Sequence, residues 1–262
     1  SSTNDLTYVY IMYNGVETML PDVIHQELDD EYDVDIHTID TDDYGIPQTR
    51  DRMIILMTRH GVRRRWTLPP VEQHKVTMEE AIGHLPIVDP FIKDLPQEEF
   101  LRLFPHYEER RREALAISPW NIPPVHVWRQ VRAMMYTPTG QTAFDNEPEY
   151  RPIKADGTFV RGYRNTYKRQ NWNTPAYTVT MDNRKISSQN NVHPGRLVGQ
   201  DANGHDIYSD ARTLTLYELM KVMSLPEDWN VPVNTDEAFL RRIIGEGIPP
   251  LFIRKLFAQI VQ

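Results

Sequence analysis

Residues 44–57 read YGIPQTRDRMIILM, a polar turn followed by an apolar run, and this stretch decides the fold of the chain. A glycine and a proline set the turn, and residues 53–57 are typical of a short buried strand. In an extended chain alternate side chains share a face, so Gln48, Arg50 and Arg52 are predicted to lie together. Their amide and guanidinium groups could donate to a phosphate, a carboxylate or a base edge. A solvated surface ladder is the alternative interpretation of these three residues alone.

The segments before this stretch have the order of an α/β fold. Residues 6–13 and 32–39 are rich in aromatic and β-branched residues and predict buried strands, and residues 16–28 have a helical pattern. Strand, helix, strand, turn and strand is the order expected at the end of an α/β sheet. So few strands would leave open edges and uncovered faces, which predicts a missing partner or N-terminal portion.

From His60 onward the sequence becomes rich in proline and aromatic residues, and this change predicts a domain boundary. Two threonine–glutamate pairs, Thr77 with Glu80 and Thr215 with Glu218, have the spacing of helix capping boxes. The pattern predicts six helices in this part of the chain: residues 77–85, 98–116, 125–135, 214–223, 235–243 and 251–261.

Two shorter segments complete the pattern. Residues 178–180 alternate as in a short strand. Gly245–Pro250 (GEGIPP) predicts a turn in front of the last helix. A glycine-rich turn at a helix N-terminus can bind an anion or a cofactor, and a plain connection between helices is the alternative.

Composition excludes several classes of protein. The 262 residues are 40% hydrophobic, enough for a core, and contain no apolar run of 18 residues. We therefore expect a cytoplasmic protein with neither a signal peptide nor a transmembrane segment. The chain has no cysteine, so it contains no disulfide, no thiolate metal ligand and no cysteine nucleophile, and no metal site is predicted.

Charge is distributed unevenly along the chain, whose formal net charge is −8. Residues 1–43 hold twelve Asp or Glu and no Lys or Arg, whereas residues 151–200 hold nine Lys or Arg and two Asp. In residues 159–196 the basic side chains alternate with tyrosines and a tryptophan, and residues 187–191 are small and polar. Basic groups can position phosphates while Asn, Gln and Ser read base edges. A polar surface loop without a ligand is the alternative.

Three separated stretches resemble, in order, the eighth, ninth and tenth motifs of the DNA cytosine-5 methyltransferases. Residues 44–57 resemble the eighth, an aromatic-Gly-hydrophobic-Pro-Gln-x-Arg-x-Arg turn and strand. Residues 211–229 (ARTLTLYELMKVMSLPEDW) resemble the ninth, and residues 245–251 (GEGIPPL) the tenth. Residues 171–180 and 193–196 resemble recurrent pieces of the target-recognition region, which in this family lies between the eighth and ninth motifs.

The departures from the family pattern narrow this expectation. The family's glycine-rich cofactor loop, its Pro-Cys pair and its Glu-Asn-Val are not intact; residues 13–16 (YNGV) stand near the place of the last, and Glu246 replaces the usual Asn of the tenth motif. Carbon 5 of cytosine must be activated by a covalent nucleophile, and this chain has no cysteine to supply one. The resemblance therefore implies a C-terminal portion or second subunit, inactive alone. A non-catalytic DNA-binding or regulatory module, and a fragment of a longer enzyme, are the alternatives.

The resemblance implies an α/β fold, namely the C-terminal portion of a Rossmann-like methyltransferase sheet plus a small mixed α+β target-recognition domain. Residues 1–60 would end the catalytic domain, residues 61–210 would form the target-recognition region, and residues 211–262 would return to the catalytic domain. The expected partners are double-stranded DNA and an N-terminal methyltransferase half or subunit.

Roles for individual residues follow from the same resemblance. Arg52 would contact the flipped cytosine and its supporting acid, while Arg50 and Gln48 would brace the pocket. Arg212 and Glu218 would organise the recognition region. One side of the site for S-adenosylmethionine, shared with the missing half, would be formed by Gly245, Glu246, Gly247, Ile248 and Pro249. The residues expected to contact phosphates are Lys168, Arg169, Arg184 and Lys185. The residues expected to read bases are Thr180, Asn183, Ser188, Gln189 and Asn190.

Overall fold

The computed structural model describes residues 9–261, and its N-terminal part consists of two hairpins and a short helix. Strand β1 (Tyr10–Tyr13) pairs with β2 (Val16–Met19), and α1 (Leu20–Leu28) follows. Strand β3 (Tyr32–Asp40) then pairs antiparallel with β4 (Asp51–Arg59) along its whole length. Within residues 9–261 this pair has no third strand, which leaves both of its outer edges unpaired by backbone ladders.

Residues 6–13 were predicted to form a buried strand, and residues 6–8 of this segment lie outside the described part of the chain. The strand at residues 10–13 is present, but the prediction that it is buried is wrong. Tyr10 and Met12 in β1 are 54% and 71% exposed. The helix predicted at residues 16–28 begins only at Leu20, because residues 16–19 form β2. Asn14 and Gly15 both have positive φ, 49° and 79°, and an Asn-Gly pair in this conformation favours a two-residue hairpin turn.

The rest of the described chain consists of short helices and four short strands, joined by long irregular segments. The strands form two pairs, β5 with β6 in parallel and β7 with β8 antiparallel. The helices are α2 (Met78–Ile82), α3 (Gln97–Leu103), α4 (Tyr107–Ile117), α5 (Trp128–Met135), α6 (Leu216–Val222), α7 (Glu237–Glu246) and α8 (Pro250–Val261). The strands are β5 (Phe91–Ile92), β6 (Val125–His126), β7 (Leu197–Gln200) and β8 (Asp206–Tyr208).

Several predicted boundaries are corrected by the structure. The single helix at residues 98–116 is two helices, α3 and α4, because the proline after Phe104 disfavours helical backbone at that residue. The helix predicted at 125–135 begins only at Trp128, since β6 uses residues 125–126. Residues 178–180 do not form a strand.

Both predicted capping boxes are confirmed. The hydroxyl of Thr77 accepts from the backbone N–H of Glu80 at the start of α2, and the Glu80 carboxylate accepts from the Thr77 N–H. Thr215 and Glu218 make the same pair of contacts at the start of α6. Each box satisfies backbone donors that the first helical turn leaves without a partner.

The last helix returns to the first hairpins. Phe252 and Leu256 of α8 share a hydrophobic core with Ile39 of β3 and with Ile54 and Leu56 of β4. A second core joins α2, α6 and α7 to residues 172–179, and a third surrounds α5. The described residues contain no helix that is both long and apolar enough to cross a membrane.

Candidate functional site

Gln48 and Arg50 form a buried bracket that ties three separated segments together. The guanidinium of Arg50 donates to the carbonyl oxygens of Val179, at 2.6 Å, and Gly245, at 2.7 Å. The amide oxygen of Gln48 accepts from the Val179 N–H at 3.0 Å, and its nitrogen contacts the sulfur of Met223 at 2.7 Å. Both side chains are at most 2% exposed. The solvated ladder is therefore wrong for these two residues.

Acidic side chains that precede β4 in the chain bind the backbone of Arg50 and the hydroxyl of Thr49, and so fix the segment that carries the bracket. One carboxylate oxygen of Asp40 accepts from the Arg50 N–H at 2.9 Å, and burial raises the pKa of Asp40, with the nearby Asp42 adding to the effect. Asp42 accepts from the hydroxyl of Thr49 at 2.8 Å and from Lys75 Nζ at 2.6 Å. The turn that carries the Gln-x-Arg-x-Arg sequence is thus fixed by polar contacts on both sides.

Arg52 differs from Gln48 and Arg50, with which it was predicted to share a face. It lies in β4 opposite Ile39, is half-buried, and donates to the carbonyl oxygen of Asp51 at 2.7 Å. Burial lowers the pKa of its guanidinium from the ordinary value. In the described part of the chain, this contact with Asp51 is the one hydrogen bond that the Arg52 guanidinium makes. Its other N–H groups have no partner within residues 9–261 and can donate to a ligand.

Residues 245–250 do not form the predicted six-residue turn, because α7 continues to Glu246. Gly245 lies against Thr180, whose carbonyl oxygen would be 2.5 Å from an added Cβ, so the glycine permits close packing of the helix. Glu246 accepts from Arg242 Nε at 3.0 Å on the surface.

The N-terminus of α8 does not offer the anion site that the glycine-rich turn suggested. The Leu251 N–H donates to the hydroxyl of Ser224 at 3.3 Å, and the Phe252 and Ile253 N–H groups donate to the carbonyl oxygen of Pro249. Ile248, by contrast, is 43% exposed and could cover an apolar part of a ligand.

Two residues expected at a DNA surface are interior. Arg169 is fully buried and donates to four carbonyl oxygens, and burial lowers its pKa to about 9. The amide of Asn183 donates to the carbonyl oxygen of Thr180 and accepts from Arg241 at 3.1 Å. The expectation that Arg169 contacts phosphate and Asn183 reads a base is therefore wrong. Sequence alone does not separate a buried arginine from an exposed one.

The other residues of this set lie on or near the surface. Arg184, Lys185 and Gln189 are exposed; Arg184 approaches Glu237 at 3.4 Å, and Lys185 approaches Asp182 at 3.4 Å. Exposed ion pairs of this kind contribute little free energy, so these side chains can exchange partners for phosphates. The half-buried members are Lys168, Thr180, Ser188 and Asn190. The Lys168 ammonium lies over the ring of Tyr177, 4.7 Å from its centroid.

Arg212 and Glu218 belong to a buried ion-pair network. Arg212 donates to both carboxylate oxygens of Glu218, at 2.8 and 2.9 Å, and to Asp210 at 2.7 Å. Burial alone would lower the pKa of Arg212, but the two carboxylates outweigh it and raise the pKa. His193 lies beside both acids, and burial lowers its pKa to about 4, which leaves the ring neutral at pH 7.

The burial of three other polar residues, Asp210, His193 and Arg241, was not predicted from the sequence. Arg241 is buried in α7 and donates to the carbonyl oxygen of Leu214 at 3.0 Å. Its neighbour one turn earlier, Glu237, accepts from Arg241 Nε at 2.7 Å, and this i, i+4 spacing was visible in the sequence. No local pattern predicts that His193 lies beside Asp210 and Glu218.

Comparison with solved structures gives the class of the fold. The chain matches a crystal structure from E. coli of a prophage-encoded protein assigned as a DNA modification methyltransferase, with a TM-score of 0.53. The match covers 92% of this chain and 63% of the other, at 15% sequence identity. The fold is thus that of an α/β DNA methyltransferase.

Sequence comparison then gives the family. Residues 13–262 match the model of the C-5 cytosine-specific DNA methylases, so the chain belongs to that family. It is 37% identical over 243 residues to the Type II methyltransferase M1.HgaI of Avibacterium volantium, which covers 93% of this chain and 59% of that protein. It is 32% identical over 79 residues to the Type II methyltransferase M.MthTI of Methanothermobacter thermautotrophicus, which covers 29% and 24%, respectively. The chain thus spans less than two thirds of M1.HgaI.

Proposed function

We propose that this chain recognises target DNA and forms the base-holding side of the active site of a DNA cytosine-5 methyltransferase. The nucleophile and most of the cofactor site would come from a polypeptide segment outside these 262 residues. The observation that carries the proposal is the bracket, in which Arg50 joins the eighth motif, Val179 of the recognition segment and Gly245 of the tenth motif. Residues 1–60 and 211–262 would then belong to the catalytic domain, and residues 61–210 to the recognition region.

The chemistry explains why another segment is required. A thiolate must add to carbon 6 of cytosine before carbon 5 can attack a methyl group, and the adduct then loses the carbon 5 proton and the thiolate. No residue of this chain is a thiol. The half-buried guanidinium of Arg52 would hold the extruded base by donating to its carbonyl oxygen or to a supporting carboxylate of the other segment.

S-adenosylmethionine supplies the methyl group in the reaction that the family catalyses. The residues of this chain fit that cofactor only in part, because Gly245 is packed against Thr180, Glu246 is paired with Arg242, and the first amides of α8 have partners. Of the five residues expected to form this wall, residues 245–249, Ile248 has the exposed apolar side chain that would cover the cofactor. This partial fit supports a cofactor site whose other walls are supplied from outside the chain.

DNA would be held by the exposed polar loop at residues 181–190. Its Arg184 and Lys185 would contact phosphates, and so would Lys168, whose neighbour Tyr167 donates its backbone N–H to the carbonyl oxygen of Ile186 in this loop. Ser188, Gln189 and Asn190 would reach base edges. Thr180 would join them at the start of the loop.

Reconstitution tests the proposal. The chain is mixed with a polypeptide that carries a Pro-Cys sequence and a cofactor loop, together with DNA and a labelled methyl donor. We expect methylation only in the mixture. A mixture that stays inert although both polypeptides are folded would contradict the proposal, and would favour a non-catalytic DNA-binding module if the chain still binds DNA.

Within the reconstituted enzyme, Arg52→Ala tests the assigned role of Arg52. Removing one preorganised donor should lower turnover by about 100-fold or more while leaving DNA affinity nearly unchanged. Arg59→Ala is the matched control, because Arg59 is exposed at the other end of the same strand. Equal losses of turnover and of DNA affinity in Arg52→Ala would rule out this role.

A further inference from the structure

A second exposed segment of the recognition region, residues 159–166, carries an aromatic side chain between two cations. Residues 157–181 hold four Lys or Arg and no acidic residue. Two of these, Arg161 and Arg164, lie in the 159–166 segment and are exposed. Between them Tyr163 is 81% exposed, the largest fraction among the exposed large hydrophobic residues of the described chain. A single exposed aromatic residue is ordinary, and what distinguishes Tyr163 is that its surroundings are cationic and fixed.

The 159–166 segment is joined to the exposed loop at residues 181–190. Asn190 donates its backbone N–H to the carbonyl oxygen of Asn165 at 2.7 Å, and Thr166 forms an antiparallel bridge with Gln189. The two stretches therefore form one continuous surface. This surface carries both the residues proposed to reach base edges and the exposed ring of the 159–166 segment.

The backbone that presents Tyr163 is anchored on the core. Its carbonyl oxygen accepts from the N–H and from the hydroxyl of Thr166, at 2.9 and 2.8 Å. The next residue, Tyr167, has a φ of 48°, which is unusual for a bulky residue. Its ring is 5% exposed and packs edge-on to Phe144 in the core around α5. A segment held in this way binds a partner at a smaller ordering cost than a flexible loop.

The cations of this surface are available to an anion. The exposed guanidinium of Arg164 pairs with the exposed carboxylate of Asp145. Because exposed ion pairs contribute little free energy, Arg164 can exchange this partner for a phosphate. Arg184 and Lys185 form similar exposed pairs on the adjoining loop. A basic surface interrupted by an aromatic ring is typical of proteins that stack on bases.

We propose that Tyr163 stacks on a base of the bound DNA, with Arg161 and Arg164 on phosphates beside that base. The inference rests on the proposed function and adds a specificity-determining residue to it. Every base has a π-face that an aromatic ring can cover. In a duplex a ring reaches that face only at a step that opens, and pyrimidine–purine steps open most easily. Tyr163 would thus select sequences without a hydrogen bond to a base edge.

DNA binding by the full chain, alone and with the polypeptide that completes the enzyme, tests the proposal. The probe is a fluorescent duplex that the unaltered protein selects from a randomised pool. We expect Tyr163→Ala to weaken binding about tenfold or more, because one base–aromatic stack is lost. Tyr163→Phe keeps the ring and should bind as the unaltered protein does. Tyr10→Ala is the matched control, because Tyr10 is 54% exposed in β1, outside the recognition region, and should change nothing.

Photochemical cross-linking identifies the stacked residue directly. Each base of the selected duplex is replaced in turn by its 5-iodopyrimidine or 8-bromopurine analogue. Ultraviolet light couples such a base to an aromatic ring that stacks on it: the carbon–halogen bond breaks, a carbon–carbon bond forms, and hydrogen halide leaves. We expect mass spectrometry of the digested protein to find the cross-link in the peptide that contains Tyr163, and to find none there in Tyr163→Ala.

The two arginines give a separate readout. Arg161→Ala and Arg164→Ala should each lower the salt slope of DNA affinity by about 1, since each removes one phosphate contact. Salt slopes that are unchanged in both variants would show that the phosphates beside the stacked base are bound elsewhere, contrary to the proposal.

Three further results would overturn the stacking of Tyr163. One is that Tyr163→Ala binds the duplex as tightly as the unaltered protein, or that the folded protein binds no DNA. Another is that Tyr163→Phe loses as much affinity as Tyr163→Ala, which would assign the contact to the hydroxyl. The last is that no analogue cross-links to the peptide that contains Tyr163.

The stacking of Tyr163 and the proposed function can fail separately, because binding and cross-linking are measured without methyl transfer. A reconstituted mixture that stays inert but cross-links through Tyr163 would contradict the proposed function and support the stacking. Methylation by the mixture, with unchanged DNA affinity in Tyr163→Ala, would do the reverse.

Discussion

The basic side chains of this protein divide between two regions with opposite surroundings. In the interior, Arg50 and Arg169 each donate to backbone carbonyl oxygens of distant segments, and Arg212 is enclosed by two carboxylates. In the loop at residues 181–190, Arg184 and Lys185 are exposed and loosely paired. The first group joins distant segments of the chain, whereas under the proposed function the second group would be available to DNA. A count of charges along the sequence does not distinguish them.

Replacing a buried arginine should lower the unfolding free energy more than any other change that tests the difference between these two groups. Arg212→Met leaves Glu218 and Asp210 as buried carboxylates without a cation, which should cost about 3–5 kcal/mol of unfolding free energy. Urea unfolding measures the effect. Arg242→Met is the control, because Arg242 forms an exposed i, i+4 pair with Glu246 whose loss should cost about 0.5 kcal/mol or less. Similar costs for both variants would contradict the proposed role of the interior arginines.

The buried histidines beside this network predict a pH dependence. Burial lowers the pKa of His126 to about 3 and that of His193 to about 4. Below the ordinary histidine value of about 6.5 the unfolded chain takes up protons that the folded chain does not. Stability should therefore fall as pH falls from about 6.5 to 4, by about 1.4 kcal/mol per pH unit for each histidine.

The sign and the source of this dependence can be checked together. The pKa of Asp210 is about 2, so its contribution is present above its unfolded value and is lost only at lower pH than this window. His126→Gln should reduce the slope, since a glutamine oxygen can still accept from the Thr213 N–H that His126 now binds. Stability that rises as pH falls from 6.5 to 4 would contradict this account.

Close packing at the tenth motif gives a smaller effect. Gly245→Ala places a Cβ 2.5 Å from the carbonyl oxygen of Thr180, so a backbone must move, at a cost of about 1–3 kcal/mol. Gly247→Ala is the matched control, because its closest contact is 3.3 Å. Equal melting temperatures for the two variants would show that α7 does not depend on this approach to residue 180.

The exposed loop should respond in DNA binding and not in stability. Arg184→Ala should lower the salt slope of DNA affinity by about 1, the effect of one lost phosphate contact. Arg112→Ala, an exposed change in α4, should leave the slope unchanged. Titration of a fluorescent duplex at several salt concentrations measures both. A flat salt response of the unaltered chain would rule out the basic recognition surface.

Local signals in the sequence predicted some elements correctly for clear physical reasons. The Thr-x-x-Glu capping boxes depend on groups three residues apart, and the strand after the Gln-x-Arg-x-Arg turn depends on a short apolar run. Contacts between distant segments were not predictable in this way. Nothing near Arg169 in the sequence shows that four carbonyl oxygens converge on it. The strand that follows the Asn14-Gly15 turn lies in a segment with a helical pattern, so the hairpin was not predicted.

The most direct test of the proposal that another polypeptide supplies the nucleophile is to trap the covalent adduct between enzyme and DNA. In DNA whose target base is 5-fluorocytosine, carbon 5 carries no proton to remove, so the enzyme–DNA adduct persists. The reconstituted enzyme is incubated with this DNA and a methyl donor, denatured, and its polypeptides are weighed by mass spectrometry. We predict that the DNA is attached to the cysteine-bearing polypeptide and that this chain, which has no cysteine, keeps its unmodified mass. DNA attached to a residue of this chain would contradict the proposal.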